Sequence, residues 1–385
     1  MELLAFINWD FKPEIMEWPL KIVYYGPCWA LSFVIGGWLM TKMMKRDDAP
    51  EHFAEKLLIY AMVGAVVGAR LGHIVFYHPE HYFSAERWPE IFKIWEGGLA
   101  SHGGALGLVI AILLYNRNIS KKSFAWTADK VVITAAIAAC LIRVGNLTNS
   151  EIIGLKSESK SAFFFEYAAK NRAAKQLMGI TDNNFQVTEI DIEPTGEQIE
   201  IDGFNYSKGI MVATISYEKT FDESVVTAEA NSWANYVKRS YDPIEDHIFT
   251  LESEPPKVTQ YSAHQAVISV PVMMVPRIPA MLWEGVVYLF IFVFLMLAYW
   301  KWDWDKYVGL IFGVFLVLQF TSRFIIEFWK EIQADDLIND AAAPMLNRGQ
   351  QLSVPAVLIG IYFIYIALKK GKQDTSVVAP IDTKH

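Results

Sequence analysis

The chain has 385 residues, 53% of them hydrophobic, and a formal net charge of −8 at pH 7. This composition indicates a membrane protein, and the negative charge argues against nucleic acid as a partner. The two cysteines, Cys28 and Cys140, both lie in apolar stretches, so no disulfide framework is predicted. No cluster of residues has the spacing of a zinc site, and no metal is expected.

Seven apolar stretches, at about 20 residues each, are long enough to cross a bilayer as helices. They are 21–43, 57–78, 98–116, 127–147, 279–300, 307–328 and 350–369. The segment before them, Met1–Leu20, has acidic residues and no basic n-region. We therefore expect no cleaved signal peptide, and the first span is predicted to remain as an anchor.

The loops between the predicted spans alternate in charge. Basic residues follow spans one, three, five and seven, whereas the loop 79–97 carries only Arg87 and Lys93. The positive-inside rule then predicts a periplasmic N-terminus and a cytoplasmic C-terminus, including a cytoplasmic tail at 373–385.

The stretch 155–270 differs from the rest of the chain. Apolar and polar residues alternate over 185–193 and 210–217, which predicts β-strands, whereas 156–180 and 222–240 have helical patterns. The stretch has 10 Lys and Arg against 18 Asp and Glu, a balance of −8. It is therefore predicted to be a compact acidic α+β domain outside the membrane.

These patterns together predict an all-α polytopic membrane protein with seven transmembrane helices and an inserted extramembrane α+β domain. The membrane core consists of 1–154, with spans one to four, and 271–372, with spans five to seven. The insertion at 155–270 interrupts it.

Polar side chains within the spans lie at one predicted depth, in the outer half of the membrane. They are Tyr25, Arg70, His73, His102, Arg143, Asn146, Arg277, Glu284, Arg323, Glu327 and Gln350. Charge at this depth is costly and usually marks function. Because arginines outnumber carboxylates, and arginine binds phosphate through two parallel hydrogen bonds, the pattern favours a cavity for an anionic phospholipid head group.

Structural interpretations remain open for several of these residues. Arg70 and His73 have the spacing of a helix-packing pair, and Arg323 and Glu327 have that of an i,i+4 ion pair. The glycines of 97–107 fit close helix packing as well as close approach to a ligand. A transporter is disfavoured because we place no charged group in the inner half of the spans.

A family resemblance appears at these residues. The run Arg143-x-Gly145-Asn146-x-x-Asn149-x-Glu151-x-x-Gly154 resembles the signature of bacterial prolipoprotein diacylglyceryl transferases. The run Gly97-Gly98-x-x-x-His102-Gly103-Gly104-x-x-Gly107 looks like that family's His-Gly-Gly segment. The resemblance covers roughly 20–154 and 271–370, and this sequence departs from the usual pattern at Ile142, Leu147, Ile278 and Trp283.

The resemblance implies an enzyme of the bacterial inner membrane. It would move the diacylglyceryl group of phosphatidylglycerol to the lipobox cysteine of a prolipoprotein, without a cofactor. Arg143 and Arg277 would bind the phosphate, and His102 would act as the base or orient the thiol. The remaining implied substrate contacts are Tyr25, Arg70, Asn146, Glu151, Glu284 and Gln350. The alternative is a catalytically silent homologue whose insertion docks a periplasmic partner as part of an envelope complex.

Overall fold

The computed structural model describes residues 6–19, 21–76, 82, 88–93, 98, 100–180, 185–217, 219–239, 247–251, 254–330 and 346–377. Three sequence features, Arg87, Gly97 and the tail end 378–385, lie outside these residues. The chain divides into a helical unit and a sheet unit. The helical unit comprises Pro27–Ile142, Gly285–Ile325 and Gly349–His385; the sheet unit comprises Met1–Gly26, Arg143–Glu284 and Ile326–Arg348.

Long helices carry most of the apolar sequence. In chain order the helices are α1 (Tyr25–Arg46), α2 (His52–Phe76), α3 (Ser101–Tyr115), α4 (Phe124–Thr148), α5 (Glu166–Ile180), α6 (Glu223–Arg239), α7 (Ala280–Trp300), α8 (Leu310–Ile326) and α9 (Arg348–Lys370). A π-helical turn, Asn116–Ser120, extends α3, and a 3₁₀ turn, Glu327–Trp329, follows α8.

Among the described residues, six helices are long and apolar enough to cross a membrane: α2, α3, α4, α7, α8 and α9. The expectation of a multi-pass helical membrane protein is therefore confirmed. Helix α1 coincides with the first predicted span but does not reach the same apolarity, because tyrosine, tryptophan, glycine and serine dilute its aliphatic residues.

Glycines let α2 and α3 pack with their backbones in contact. A Cβ on Gly107 would lie 2.1 Å from the Gly64 carbonyl oxygen, and one on Gly103 would lie 2.4 Å from that of Gly68. The contacting glycines are four residues apart on each helix, so they share one face. Gly103 and Gly107 of the His-Gly-Gly segment therefore serve helix packing, the structural interpretation left open above.

Charged groups do occur at the beginning of α4, contrary to our expectation of an inner half without charges. The Asp129 carboxylate accepts hydrogen bonds from the backbone N–H groups of Gly309 and Phe312, at 2.6 and 2.7 Å. The Lys130 ammonium lies 2.7 Å from Asp47, and both side chains are almost fully buried. These charges cap the N-terminus of α8 and hold the end of α1, which is a structural role.

The segment that follows α9 packs onto the helical unit. Val377 N–H donates to the Asp47 carbonyl (2.8 Å), and Gln373 N–H donates to that of Lys306 (2.8 Å). Trp126 Nε1 donates to the Thr375 carbonyl at 3.2 Å. The tail is therefore ordered at least as far as Val377.

The sheet unit is built on antiparallel strands with helices on one face. Strands β1 (Ile7–Asn8) and β4 (Phe163–Phe164) form a parallel pair, and β2 (Glu14–Met16) and β3 (Ile22–Val23) form a hairpin. The main sheet has the order β5–β6–β9–β7, with β8 also paired to β9. These strands are β5 (Gln186–Ile201), β6 (Phe204–Ser216), β7 (Ile248–Phe249), β8 (Lys257–Tyr261) and β9 (Gln265–Met274).

The core of the sheet unit is formed by every second residue of its strands and by one face of its helices. Every second residue of β6 and β9 is buried, as in Met211, Ala213 and Ile215, and α6 contributes Val226 and Trp233 from one face. The predicted helices at 156–180 and 222–240 form only as 166–180 and 223–239. Residues 156–165 are not helical, because Lys156 and Phe163 pair with Arg277, Phe163 and Phe164 pair with β1, and a turn at 159–161 lies between them.

The glycine contact gives a stability prediction. Gly107→Ala forces a methyl group against the α2 backbone and should destabilise the protein by about 1–3 kcal/mol, the usual cost of overpacking. Gly37→Ala is the matched control, because its Cβ would meet only Leu58 Cδ2, at 3.5 Å. Thermal unfolding in detergent measures both variants. Equal melting temperatures for the two would contradict the packing role of Gly107.

Candidate active site

The signature residues form a continuous chain of polar contacts in the sheet unit. Arg143, in the last two turns of α4, donates from Nη1 to Asn146 Oδ1 at 2.8 Å. Asn146 Nδ2 in turn donates to Glu151 Oε1 at 2.9 Å. The spacing of three residues between Arg143 and Asn146 puts both on one face of the helix. The structure thus brings together three residues that the sequence selected.

A buried carboxylate binds the other side of Arg143. Glu284, in the first turns of α7, is fully buried, and its Oε2 lies 2.7 Å from Arg143 Nε. Its Oε1 accepts a hydrogen bond from Lys330 Nζ at 2.7 Å. Glu284 therefore neutralises two cations and orients the Arg143 guanidinium, and its predicted contact with a substrate stays a prediction.

Lys330 was missed in the sequence. It lies just after the 3₁₀ turn, is 8% exposed, and also pairs with Glu327 at 3.5 Å. Its spacing of three residues from Glu327 was the available signal. The predicted partner of Glu327, Arg323, belongs to the helical unit, so the ion pair between Arg323 and Glu327 stays a prediction.

Backbone pairing holds the signature loop beside Lys330. Gly154 N–H donates to the Ile278 carbonyl at 2.8 Å, and Leu155 N–H donates to the Trp329 carbonyl at 2.9 Å. A Cβ on Gly154 would lie 2.5 Å from the Trp329 oxygen, so only glycine fits between these strands of backbone. The same logic applies to Gly145, where a Cβ would lie 2.7 Å from the Tyr25 ring. Tyr25 thus packs directly on the signature helix.

Arg277 lies inside the sheet unit. Its side chain is completely buried, and its backbone exchanges two hydrogen bonds of 2.8 Å with Phe163. Burial, together with the positive charges of Arg277 and Arg172, lowers the pKa of His247 to about 3. His247 is therefore neutral at physiological pH and adds no second positive charge beside Arg277.

Arg70 and His102 belong to the helical unit. Arg70 donates from Nε to the Ile91 carbonyl (2.9 Å) and from Nη1 to the Gly98 carbonyl (3.2 Å). Gly98 has a φ of +72°, and a Cβ there would lie 2.7 Å from Arg70 Nη1. Arg70 therefore links Ile91 and Gly98 to α2, and its packing pair with His73 stays a prediction.

His102 and Gln350 differ in their exposure. His102 lies in the first turn of α3, where its exposed ring meets the Phe76 ring edge-on at 5.1 Å. Gln350 is buried, and its Nε2 lies 3.5 Å from the Phe324 carbonyl, next to Arg323 on α8.

Metal chemistry has no candidate site among the described residues, where no group of three or more His, Cys, Asp or Glu side chains could hold an ion.

Comparison with known proteins agrees with these features. The family model described as prolipoprotein diacylglyceryl transferase matches residues 13–366. A phosphatidylglycerol–prolipoprotein diacylglyceryl transferase from Chloroherpeton thalassium is 32% identical, over 97% of this chain and 98% of its own length. Proteins of the same name from Porphyromonas gingivalis and Tolumonas auensis are 32% and 29% identical, over 96% and 94% of this chain and 97% and 98% of theirs. The chain belongs to the prolipoprotein diacylglyceryl transferase family.

Proposed function

We propose that this protein transfers the diacylglyceryl group of phosphatidylglycerol to the lipobox cysteine of prolipoproteins in the bacterial inner membrane. The cysteine sulfur attacks the terminal glyceryl carbon, the carbon–oxygen bond to phosphate breaks, and glycerol phosphate leaves as a thioether forms. The thiol loses its proton to a base. Full-length similarity to relatives of that name supports this function, and no observation favours the scaffold alternative.

The single observation that carries the mechanism is how the Arg143 side chain is bound. A guanidinium has five N–H donors; Arg143 donates one from Nη1 to Asn146, and its Nε lies 2.7 Å from Glu284 Oε2 as an ion pair. The remaining donors form an oriented fork that suits phosphate oxygens. Glu284 and Asn146 hold this fork in place before substrate arrives, so little reorganisation is needed as negative charge develops on the leaving phosphate.

The charge of the polar network calls for a second cation. Arg143 and Lys330 stand against the carboxylates of Glu151, Glu284 and Glu327, so the network itself is not positive. We propose that Arg277 strengthens the field from its buried position, since low-dielectric surroundings screen a charge weakly.

We propose supporting roles for the other predicted residues. Asn146 and Glu151 position the glycerol and the signature loop, and Tyr25 shapes the site from its contact with Gly145. Arg70 and Gln350 position the segments they bind rather than the head group itself.

We propose a seven-span topology in which α1 also crosses the membrane, with the N-terminus and the acidic sheet region in the periplasm. The balance of −8 in 155–270 then favours a basic periplasmic partner. The positive-inside pattern supports this orientation.

The first activity prediction concerns Arg143. Arg143→Ala should reduce thioether formation by at least about 10²–10³-fold, the usual cost of removing a preorganised donor. Arg143→Lys should rescue poorly, because the point charge of an ammonium cannot reproduce bidentate binding of phosphate. Transfer to a lipobox peptide is measured in membranes, with Arg117→Lys, an exposed arginine, as the control. Near-normal transfer by Arg143→Ala at equal protein level would refute the assignment.

The second concerns the proton acceptor. If His102 removes the thiol proton, His102→Asn should lose roughly 10²–10⁴-fold in rate and change the pH profile. His52→Asn is the matched control, since His52 also begins a helix and meets a phenylalanine ring edge-on. A small loss with an unchanged pH profile would instead give His102 an orienting role.

The third concerns orientation. After Cys28 and Cys140 are replaced by serine, a membrane-impermeant maleimide should label Glu193→Cys in intact cells, because this exposed residue lies in the sheet region. Glu51→Cys, in the loop between α1 and α2, should react only after permeabilisation. The reverse pattern would place the acidic region in the cytoplasm and contradict the proposed topology.

A further inference from the structure

The hairpin formed by β2 and β3 exposes apolar side chains around its turn. Trp18 is 84% exposed, and Ile15, Met16 and Ile22 are 48%, 39% and 38% exposed. Single exposed apolar residues are ordinary, but a group of them on one short hairpin marks a surface that meets an apolar partner.

Aromatic contacts tie this hairpin to the ends of membrane-crossing helices. Phe11, just before β2, contacts the rings of Trp9 (5.5 Å) and Tyr24 (5.2 Å). Trp9 packs in a cluster that includes Leu147, at the end of α4, and Leu282, at the beginning of α7. The segments that flank the hairpin therefore lie at the ends of α4 and α7, which the proposed topology puts at the outer surface of the hydrocarbon.

Chain length gives the same placement independently. Strand β3 ends at Val23 and α1 begins at Tyr25. Two residues span at most about 7 Å, so the hairpin cannot be far from the start of that helix.

The charges on the hairpin balance, so electrostatic attraction contributes little to its binding of a partner. Lys12 pairs with Glu17, and Lys21 pairs with Glu14 at 3.0 Å. Two lysines and two glutamates balance, so neither a charged protein nor an anionic lipid surface is selected by net charge. What remains is a tryptophan with aliphatic neighbours, and tryptophan is the side chain most suited to the boundary between head groups and acyl chains.

We propose that the β2–β3 hairpin inserts its turn into the interfacial region of the outer leaflet and anchors the sheet unit to the lipid surface. This inference rests on the proposed function for its consequence. Tyr25, which follows the hairpin, packs on Gly145, two residues from Arg143. The anchor therefore sets the depth at which Arg143 meets the phosphate of the lipid donor.

The test reads lipid contact directly. In the background lacking Cys28 and Cys140, an environment-sensitive fluorophore is attached to Trp18→Cys or, as the control, to Glu193→Cys. The full-length protein is placed in phosphatidylcholine–phosphatidylglycerol nanodiscs with nitroxide labels on the acyl chain near the head group. We expect several-fold stronger quenching and a blue-shifted emission at position 18. High salt should leave both unchanged, because the hairpin carries no net charge.

Equal quenching at the two positions would overturn the proposal. Shielding from aqueous iodide without nitroxide quenching would overturn it too, since it would identify a protein, such as a second copy of this chain, as the occupant. This readout needs no activity, so quenching at position 18 in a preparation without transferase activity would reject the proposed function and retain the anchor.

A kinetic comparison tests the consequence. Trp18→Asp should raise the KM for phosphatidylglycerol in bilayers by about threefold or more while kcat changes little. Trp18→Tyr should keep the KM of the unchanged protein, because tyrosine also suits the interface. A merely structural role would lower kcat or the folded yield. An unchanged KM in Trp18→Asp would show that the hairpin does not set the depth of Arg143.

Discussion

A fully buried carboxylate, that of Glu284, is the constraint on which the site depends. An uncompensated charge in that position would cost several kcal/mol, so its two oxygens must be paired. Arg143 and Lys330 do this, each at 2.7 Å, and they arrive from the end of α4 and from the turn after α8. One side chain therefore fixes three segments that are far apart in sequence. The backbone pairs of Gly154 and Leu155 fix the same segments through their main chains.

This arrangement explains why the signature contains its particular residue types. Glycine is required at 145 and 154 because other chain atoms lie within 3 Å of the space a Cβ would take. Asparagine at 146 accepts from Arg143 through Oδ1 and donates to Glu151 through Nδ2, and its short amide supplies both groups from one side chain. The signature thus encodes the orientation of one guanidinium as much as contacts to substrate.

Part of the fold and of the site can be predicted from the sequence, and part cannot. The apolar stretches, the alternation of β6 and the group of Arg143, Asn146 and Glu151 follow from local patterns, and local patterns predict elements well. Lys330 and the pairing of residues 156–165 with the segment around Arg277 depend on long-range contacts, which no local pattern reports. Asp129 and Lys130 lie within a predicted span, at the opposite end of α4 from Arg143, and their partners Asp47, Gly309 and Phe312 are far away in sequence.

These two residues also show that charge at membrane depth does not by itself indicate catalysis. Asp129 receives two backbone N–H groups, and Lys130 is enclosed by Asp47 and by the Trp126 ring, 3.7 Å away. Asp129 and Lys130 therefore bind other parts of the fold, and Arg70 likewise donates to the backbone carbonyls of Ile91 and Gly98. Arg143 differs because its two described contacts orient the guanidinium and leave donors over. A partly buried cation that is oriented but keeps unused donors suits an anion that arrives and departs, and among the described residues of this network we propose that role for Arg143.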